Sequence, residues 1–219
     1  MDNIAGSALV LLGTFVTTVS SYIIGVKRQP YRPSIQPRND AFSIWGLIFI
    51  LLIASGIALL DANQPLLPSF FCLMSLLSCT LWLFIADTRF AVYALTSACI
   101  FGSCASVLYK HTPTLANSVV LIGPNILFSW LTLASALAFI IHMKEFRNIS
   151  EQFWMPIPFL LFNIAIACTN VVRGSFPSAL AITFPLMWTA LFSSKSWIFL
   201  STALIEICFV AAFQFYSQK

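Results

Sequence analysis

The sequence predicts an all-α fold, a polytopic transmembrane helical bundle of about eight spans, with seven as the alternative count. Three observations predict it. Hydrophobic residues make up 59% of the chain, charged residues only 8%, and the mean hydropathy is +0.92. A soluble domain carries about 25% charged residues, so too few charges are present here to coat a water-facing surface. The apolar residues also come in runs long enough to cross hydrocarbon as helices, for which about 17–25 residues suffice. Finally, the runs lack the alternation over about ten residues that marks a membrane β-barrel, so helices must satisfy their backbone polar groups. An integral, multi-pass membrane protein follows, and soluble, disordered and disulfide-scaffold classes are excluded. The net charge of +4 is small. No basic run is long enough for a nucleic-acid face, so that partner class is discarded and membrane lipids take its place.

The apolar stretches are Ile4–Gly25, Ala41–Leu60, Leu67–Ala86, Phe90–Tyr109, Ala116–His142, Pro156–Val172, Phe176–Phe192 and Trp197–Tyr216. Pro and Gly punctuate the gaps between them, at Pro65 and Pro68, Pro113, Pro156, and Gly174 with Pro177. Asp87–Arg89 is a tight connection, which predicts a helical hairpin of the third and fourth stretches. The sixth and seventh stretches are the shortest. If one of them is re-entrant, seven spans remain and the C-terminus changes sides. The first stretch does not read as a signal peptide, because no basic residue precedes Lys27 and Asp2 stands near its start.

Lys and Arg give the orientation. With eight spans, Lys27, Arg28, Arg32, Arg38, Arg89, Lys144, Arg147 and Lys195 fall on one side, and Lys110, Arg173 and Lys219 on the other. Basic residues mark the cytosolic side, so both termini are expected to face away from it. The segment from Val26 to Asp40 is the longest and most basic connection, suited to contact with anionic lipid heads.

The six cysteines, Cys72, Cys79, Cys99, Cys104, Cys168 and Cys208, all lie inside the stretches without a CxxC pair or a neighbouring His. They read as small apolar packing residues, with no metal site and no cofactor. Glu206 is different. It lies ten residues after Ser196 and ten before Tyr216, near the bilayer midplane. An ionised carboxylate there costs about 2.5–3.5 kcal/mol or more, which favours the neutral acid and makes the residue a functional candidate. It is either a hydrogen-bonded neutral anchor or a proton site.

Asn163 and Asn170 share a helix face by spacing, and Asn125 follows Gly123-Pro124. A proline inside a helix frees a carbonyl and bends the chain, which can open a cavity. The alternative for these asparagines is interhelical hydrogen bonding, worth about 0.6 kcal/mol each. Trp45, Trp82, Trp154, Trp188 and Trp197 fall in the cytosolic third, and Trp130 near the middle of its stretch. They form either an interfacial belt or the lining of a cavity for a flat ligand. Ala98, Gly102 and Ser106 place small residues at four-residue spacing, which lets helices approach closely. Intramolecular packing is the expected use, and a homodimer face is the alternative.

Several chemistries are excluded. Every lysine sits at a helix end or in a loop, so a retinal Schiff base has no anchor. Neither GxxxxGK[ST] nor HExxH occurs. The protein is therefore read as not an enzyme.

The stretch from Lys27 to Leu59 resembles the tryptophan-rich sensory protein family, TspO and its mitochondrial benzodiazepine-receptor relatives. The residues are Pro30-Tyr31-Arg32-Pro33, then Pro37, then Ala41-Phe42-Ser43-Ile44-Trp45-Gly46-Leu47-Ile48. Leu81-Trp82-Leu83-Phe84 is similar to the family's third segment, and Pro124, Trp130, Ala134 and Leu137 to its fifth. Ala138 stands where members often have Asn, and Pro124 lies further from Trp130 than is usual. The resemblance implies a five-helix membrane unit over residues 1–142. Residues 143–219 then add three helices to the same membrane domain, as in an extended branch of the family. It further implies binding of a tetrapyrrole (porphyrin) or sterol, with Trp45, Trp82 and Trp130 as pocket aromatics and Pro33 and Pro37 shaping a lid.

Three functions stand at this point. One is a receptor or carrier for a hydrophobic, planar ligand, with Asn125 as a polar group of its site. Another is a secondary transporter whose proton resides on Glu206, with Asn163 and Asn170 as further polar candidates. The third is a structural or accessory subunit. The orientation can be checked directly, because Asn148-Ile149-Ser150 is a glycosylation sequon on the basic side. Expressed in a eukaryotic host, it should remain unmodified by mass shift after glycosidase treatment, and a glycan at Asn148 would reverse the topology.

Overall fold

The structure is a computed structural model that describes residues 2–24, 39–110, 114–148, 176–193 and 196–217. Its helices are α1 (Asp2–Ile24), α2 (Ile44–Ala58), α3 (Leu66–Ile85), α4 (Ala91–Leu108), α5 (Leu115–Arg147), α6 (Phe176–Leu191) and α7 (Ser196–Ser217), with a 3-10 turn at Asn39–Ser43 leading into α2. The sixth apolar stretch, Pro156–Val172, lies outside the described residues. Among the described residues, five helices are long and apolar enough to cross a membrane: Asn3–Ile24, Ala41–Ala58, Leu66–Ile85, Ala91–Leu108 and Leu115–Arg147. The chain is an integral multi-pass membrane protein.

Local chemistry sets the helix ends. Pro65, extended at φ −67° and ψ 157°, opens α3. Thr114 caps α5, its hydroxyl accepting from Asn117 N at 3.3 Å. The end of α2 falls two residues short of the expected Leu60, because the chain tightens there. Leu60 N donates to Ile57 O at 3.1 Å and Asp61 N to Ala58 O at 3.2 Å. In contrast, α5 runs five residues past the expected His142. Lys144 and Arg147 complement the negative helix end, and Asn148 closes it in the left-handed conformation at φ 52°, its N–H reaching Met143 O. At about 1.5 Å per residue, α5 outreaches the roughly 30 Å hydrocarbon core.

The helices close into a ring. α1 packs against both α2 and α3, α3 against α4, α4 against α5, and α5 against α2. The turn between α3 and α4 is held by Thr88, whose hydroxyl donates to Ile85 O at 2.8 Å and accepts from Phe90 N at 3.2 Å. On its remaining side α5 packs against α6, and α6 carries α7. With neighbours on three sides, α5 is buried almost all round from Val120 to Ile141. Outward residues such as Phe15, Ile53, Phe70 and Ile100 are exposed and apolar, as a lipid-facing surface requires.

Lipid tails are as apolar as the side chains, so close packing and hydrogen bonds hold such helices together. The expected small-residue stripe performs this role inside the bundle. Ala98 and Ser106 are fully buried, Ser75 Oγ donates to Ala98 O at 2.7 Å, and Ser106 bonds Asn125 of α5. A Cβ on Gly102 would stand 3.2 Å from Ser75 Oγ and 3.6 Å from the Phe128 Cα. At the end of the bundle away from the 3-10 turn, the Gln64 amide pairs with the Lys110 backbone. Its Nε2 donates to Lys110 O at 2.8 Å, and its Oε1 accepts from Lys110 N at 2.7 Å. The same Nε2 donates to Asn117 Oδ1 at 2.6 Å, so one side chain ties two interhelical connections to α5.

The tightest approach is between α2 and α5. A Cβ on Gly123 would stand 2.6 Å from Ser55 Oγ and 2.8 Å from the Leu51 carbonyl oxygen. Gly123→Ala should therefore lower stability in detergent by about 1–3 kcal/mol, the usual cost of overpacking, read as a lower thermal midpoint. Gly46→Ala meets nothing within 4 Å and should be neutral or stabilising by about 0.5–1 kcal/mol. Equal effects from both would show that the α2–α5 approach is not as close as described.

Candidate functional site

Seven residues beyond Gly123, the same face of α5 presents Trp130. Its ring is 2% exposed and meets two rings of the α2 end, both edge-on. Phe42 lies 5.7 Å away at 89°, and Trp45 lies 6.4 Å away at 87°. Trp45 in turn stacks on Phe49 at 5.4 Å and 30°. Edge-on pairing sets the positive ring edge against the negative ring face, worth about 0.5–1.5 kcal/mol per pair beyond burial. Trp130 is thus a buried anchor, whereas Trp45 is only half-buried.

A third tryptophan joins from α6. Trp188 is packed between Phe184 (6.0 Å, 30°) and Phe192 (5.6 Å, 54°), and its Nε1 donates to Ala41 O at 3.2 Å. Depth in the membrane alone did not separate Trp188 from the belt residues. The signal that could have done so is the four-residue spacing of Phe184, Trp188 and Phe192, which puts three aromatic rings on one helix face.

No family model, curated protein or solved structure matches the chain. The geometry therefore carries the functional argument.

The structure brings Trp45 and Trp130 together and places the other sequence candidates elsewhere. Trp82 is buried on α3, whose packing neighbours are α1 and α4, and its Nε1 has no hydrogen-bond partner among the described residues. Trp197 is 67% exposed. Asn125 faces α4 rather than the tryptophans. Its Oδ1 accepts from Ser106, and its Nδ2 lacks a partner among the described residues. Beside Pro124, the Ser55 hydroxyl lies 2.8 Å from Leu51 O and 3.0 Å from Val119 O, bridging α2 to α5. Pro33, Pro37, Asn163, Asn170 and Trp154 lie outside the described residues.

Glu206 sits on α7, which packs against α6. Phe199, Ala203 and Glu206, spaced four and three residues apart, form its buried face. The carboxyl is 2% exposed, and neither oxygen has a hydrogen-bond partner among the described residues. Thr189 on α6, by contrast, is satisfied along its own helix by Pro185 O at 2.7 Å. Cys72, Cys79 and Cys99 are buried free thiols, and Cys208 is exposed. Among the described residues no group of three His, Cys, Asp or Glu could hold a metal ion.

Proposed function

We propose that the protein is a non-enzymatic membrane receptor or carrier for a hydrophobic, planar ligand of the porphyrin or sterol class, bound against the Phe42–Trp45–Trp130 cluster. The supporting observation is that two tryptophans 85 residues apart in sequence meet where the basic, proline-containing segment joins α2. One is buried and fixed, and the other is half-buried. A flat ligand gains dispersion and stacking against such a surface without having to order it. The resemblance to the TspO family supports the same reading, with a five-helix unit over residues 1–142 and three further helices over residues 143–219. On this reading Pro33 and Pro37, as the resemblance implies, shape the lid, while Trp82 and Asn125 serve the packing of α3 and α4 rather than the ligand surface. The eight-span topology belongs to the same proposal. The Trp188–Ala41 bond favours it, because it places the Leu191 end of α6 beside the start of α2.

Protoporphyrin and cholesterol, titrated into the detergent-solubilised protein with tryptophan fluorescence as readout, test the reading. Trp130→Ala would open a cavity in the core, at about 3–5 kcal/mol, so the half-buried Trp45 is the better probe. Trp45→Ala should weaken quenching by about tenfold, from lost stacking, with helical content unchanged. Trp197→Ala should leave affinity unchanged. Equal losses from the two, or quenching by neither ligand, would remove the cavity argument.

A second reading has its own observation, the buried Glu206 carboxyl without a hydrogen-bond partner among the described residues. In it, the protein is a secondary transporter whose coupling proton resides on Glu206, with Asn163 and Asn170 as supporting polar groups. A neutral carboxyl and a Gln amide are nearly equal in size, and both donate and accept hydrogen bonds. Glu206→Gln should then preserve folding and abolish uptake driven by a pH gradient in proteoliposomes. Undiminished gradient-driven uptake by that variant would end the transporter reading.

A further inference from the structure

We propose that Trp188 is a positioning residue of the aromatic site. Its indole N–H fixes the 3-10 turn before α2 and, through Phe42, sets the ring geometry at Trp130. The idea uses the ligand reading only for its binding measurement.

A continuous chain of contacts links Trp188 to Trp130. Trp188 is held on α6 between Phe184 and Phe192, one helical turn to either side, which restricts the direction of its N–H. That N–H donates to the carbonyl of Ala41, which is fully buried. A carbonyl has two lone pairs and can take this bond in addition to one within its own helix. Ala41 lies within the Asn39–Ser43 turn. Hydrogen bonds in a 3-10 turn are poorer than in an α-helix, so a bond from outside has more influence on its position. The next residue is Phe42, whose ring meets Trp130 edge-on, and Trp130 meets Trp45. A donor on α6 thus acts on the rings between α2 and α5 through one peptide unit. The residue need not touch the ligand to do this. It also gives the C-terminal helices a part in a site otherwise built from α2 and α5.

The test separates the bond from the bulk of the ring. Trp188→Phe keeps an aromatic ring and removes the N–H. Near-ultraviolet circular dichroism of the ligand-free protein reports the asymmetry around Trp45 and Trp130. The contribution of Trp45 is the difference between a protein and its Trp45→Phe variant, measured in the wild-type and Trp188→Phe backgrounds. That contribution should change in the second background while far-ultraviolet helical content stays the same. Protoporphyrin affinity should fall about two- to tenfold, the range that one lost hydrogen bond gives. If the Trp45 contribution is the same in both backgrounds, the positioning role is overturned. If wild-type protein does not bind protoporphyrin, the ligand reading falls and the dichroism cycle alone decides this inference. Should Trp188→Phe not fold, replacement of Trp188 by benzothienylalanine, which keeps a bicyclic ring and lacks the N–H, is measured in the same cycle with the same criteria.

Discussion

The approach of α2 to α5 at Gly123 is the contact on which the rest of the arrangement depends. A side chain there would overlap both Ser55 and the Leu51 carbonyl. Without a hydrophobic drive between helices in lipid, such backbone proximity is what dispersion forces and short polar bridges can exploit. Ser55 uses it, reaching Val119 O across the gap. Pro124 follows directly, where no N–H is available for the helix ladder. Two turns along the same face, about 10 Å away, the helices are set at the spacing at which Trp130 receives Phe42 and Trp45 edge-on. The ring geometry of the candidate site is therefore a consequence of a glycine well away from it.

Much of the helical framework was legible in the sequence, because a bilayer makes helices conspicuous. Segments need length and low charge, and both can be counted. The differences lie where local chemistry overrides hydropathy. Met143–Arg147 looks like the start of a basic loop, yet the helix continues, because cations at a helix C-terminus and a left-handed Asn148 stabilise it. Leu59 and Leu60 look helical, yet the chain tightens there on its way to Gln64, whose amide is taken by Lys110 and Asn117. No hydropathy pattern announces that pairing, since it joins residues 46 and 53 positions apart.

The site was legible in part, for a related reason. Counting along a membrane span gives depth, and depth grouped Trp45, Trp82, Trp188 and Trp197 together. It does not say which helix each one faces. Only the ring order of the helices separates Trp45, which meets Trp130, from Trp82, on a helix packed against α1 and α4. Asn125 shows the same limit. Its position after Gly123-Pro124 was apparent, but its partner, Ser106, depends on how α4 sits against α5. Glu206 was found because a carboxylate is conspicuous in an apolar span. Its place on the buried face of α7, rather than toward lipid, comes from packing against α6.

Most buried polar groups in the bundle follow one rule, which is to bond a neighbouring helix or a nearby carbonyl. Thr17 meets Thr80 at 3.1 Å, Ser69 meets Tyr109 at 3.1 Å, Ser75 bonds Ala98 O, and Ser135 bonds Leu95 O at 2.9 Å. These pairs hold the ring together, and their small size lets the backbones close in. Beside the unpartnered Trp82 Nε1, Asn125 Nδ2 and His142 Nδ1, two further features among the described residues do not serve that purpose. Trp45 leaves part of a large aromatic surface uncovered beside a buried partner, and Glu206 buries a carboxyl that no described residue satisfies. Departures from local consistency are where function is expected to concentrate. Glu206 lies on the helix packed against α6, and α6 also carries Trp188, whose N–H bonds the turn that leads into α2. In a bundle whose first five helices already close on themselves, α6 is the element that connects the closed ring to the one deeply buried acid among the described residues.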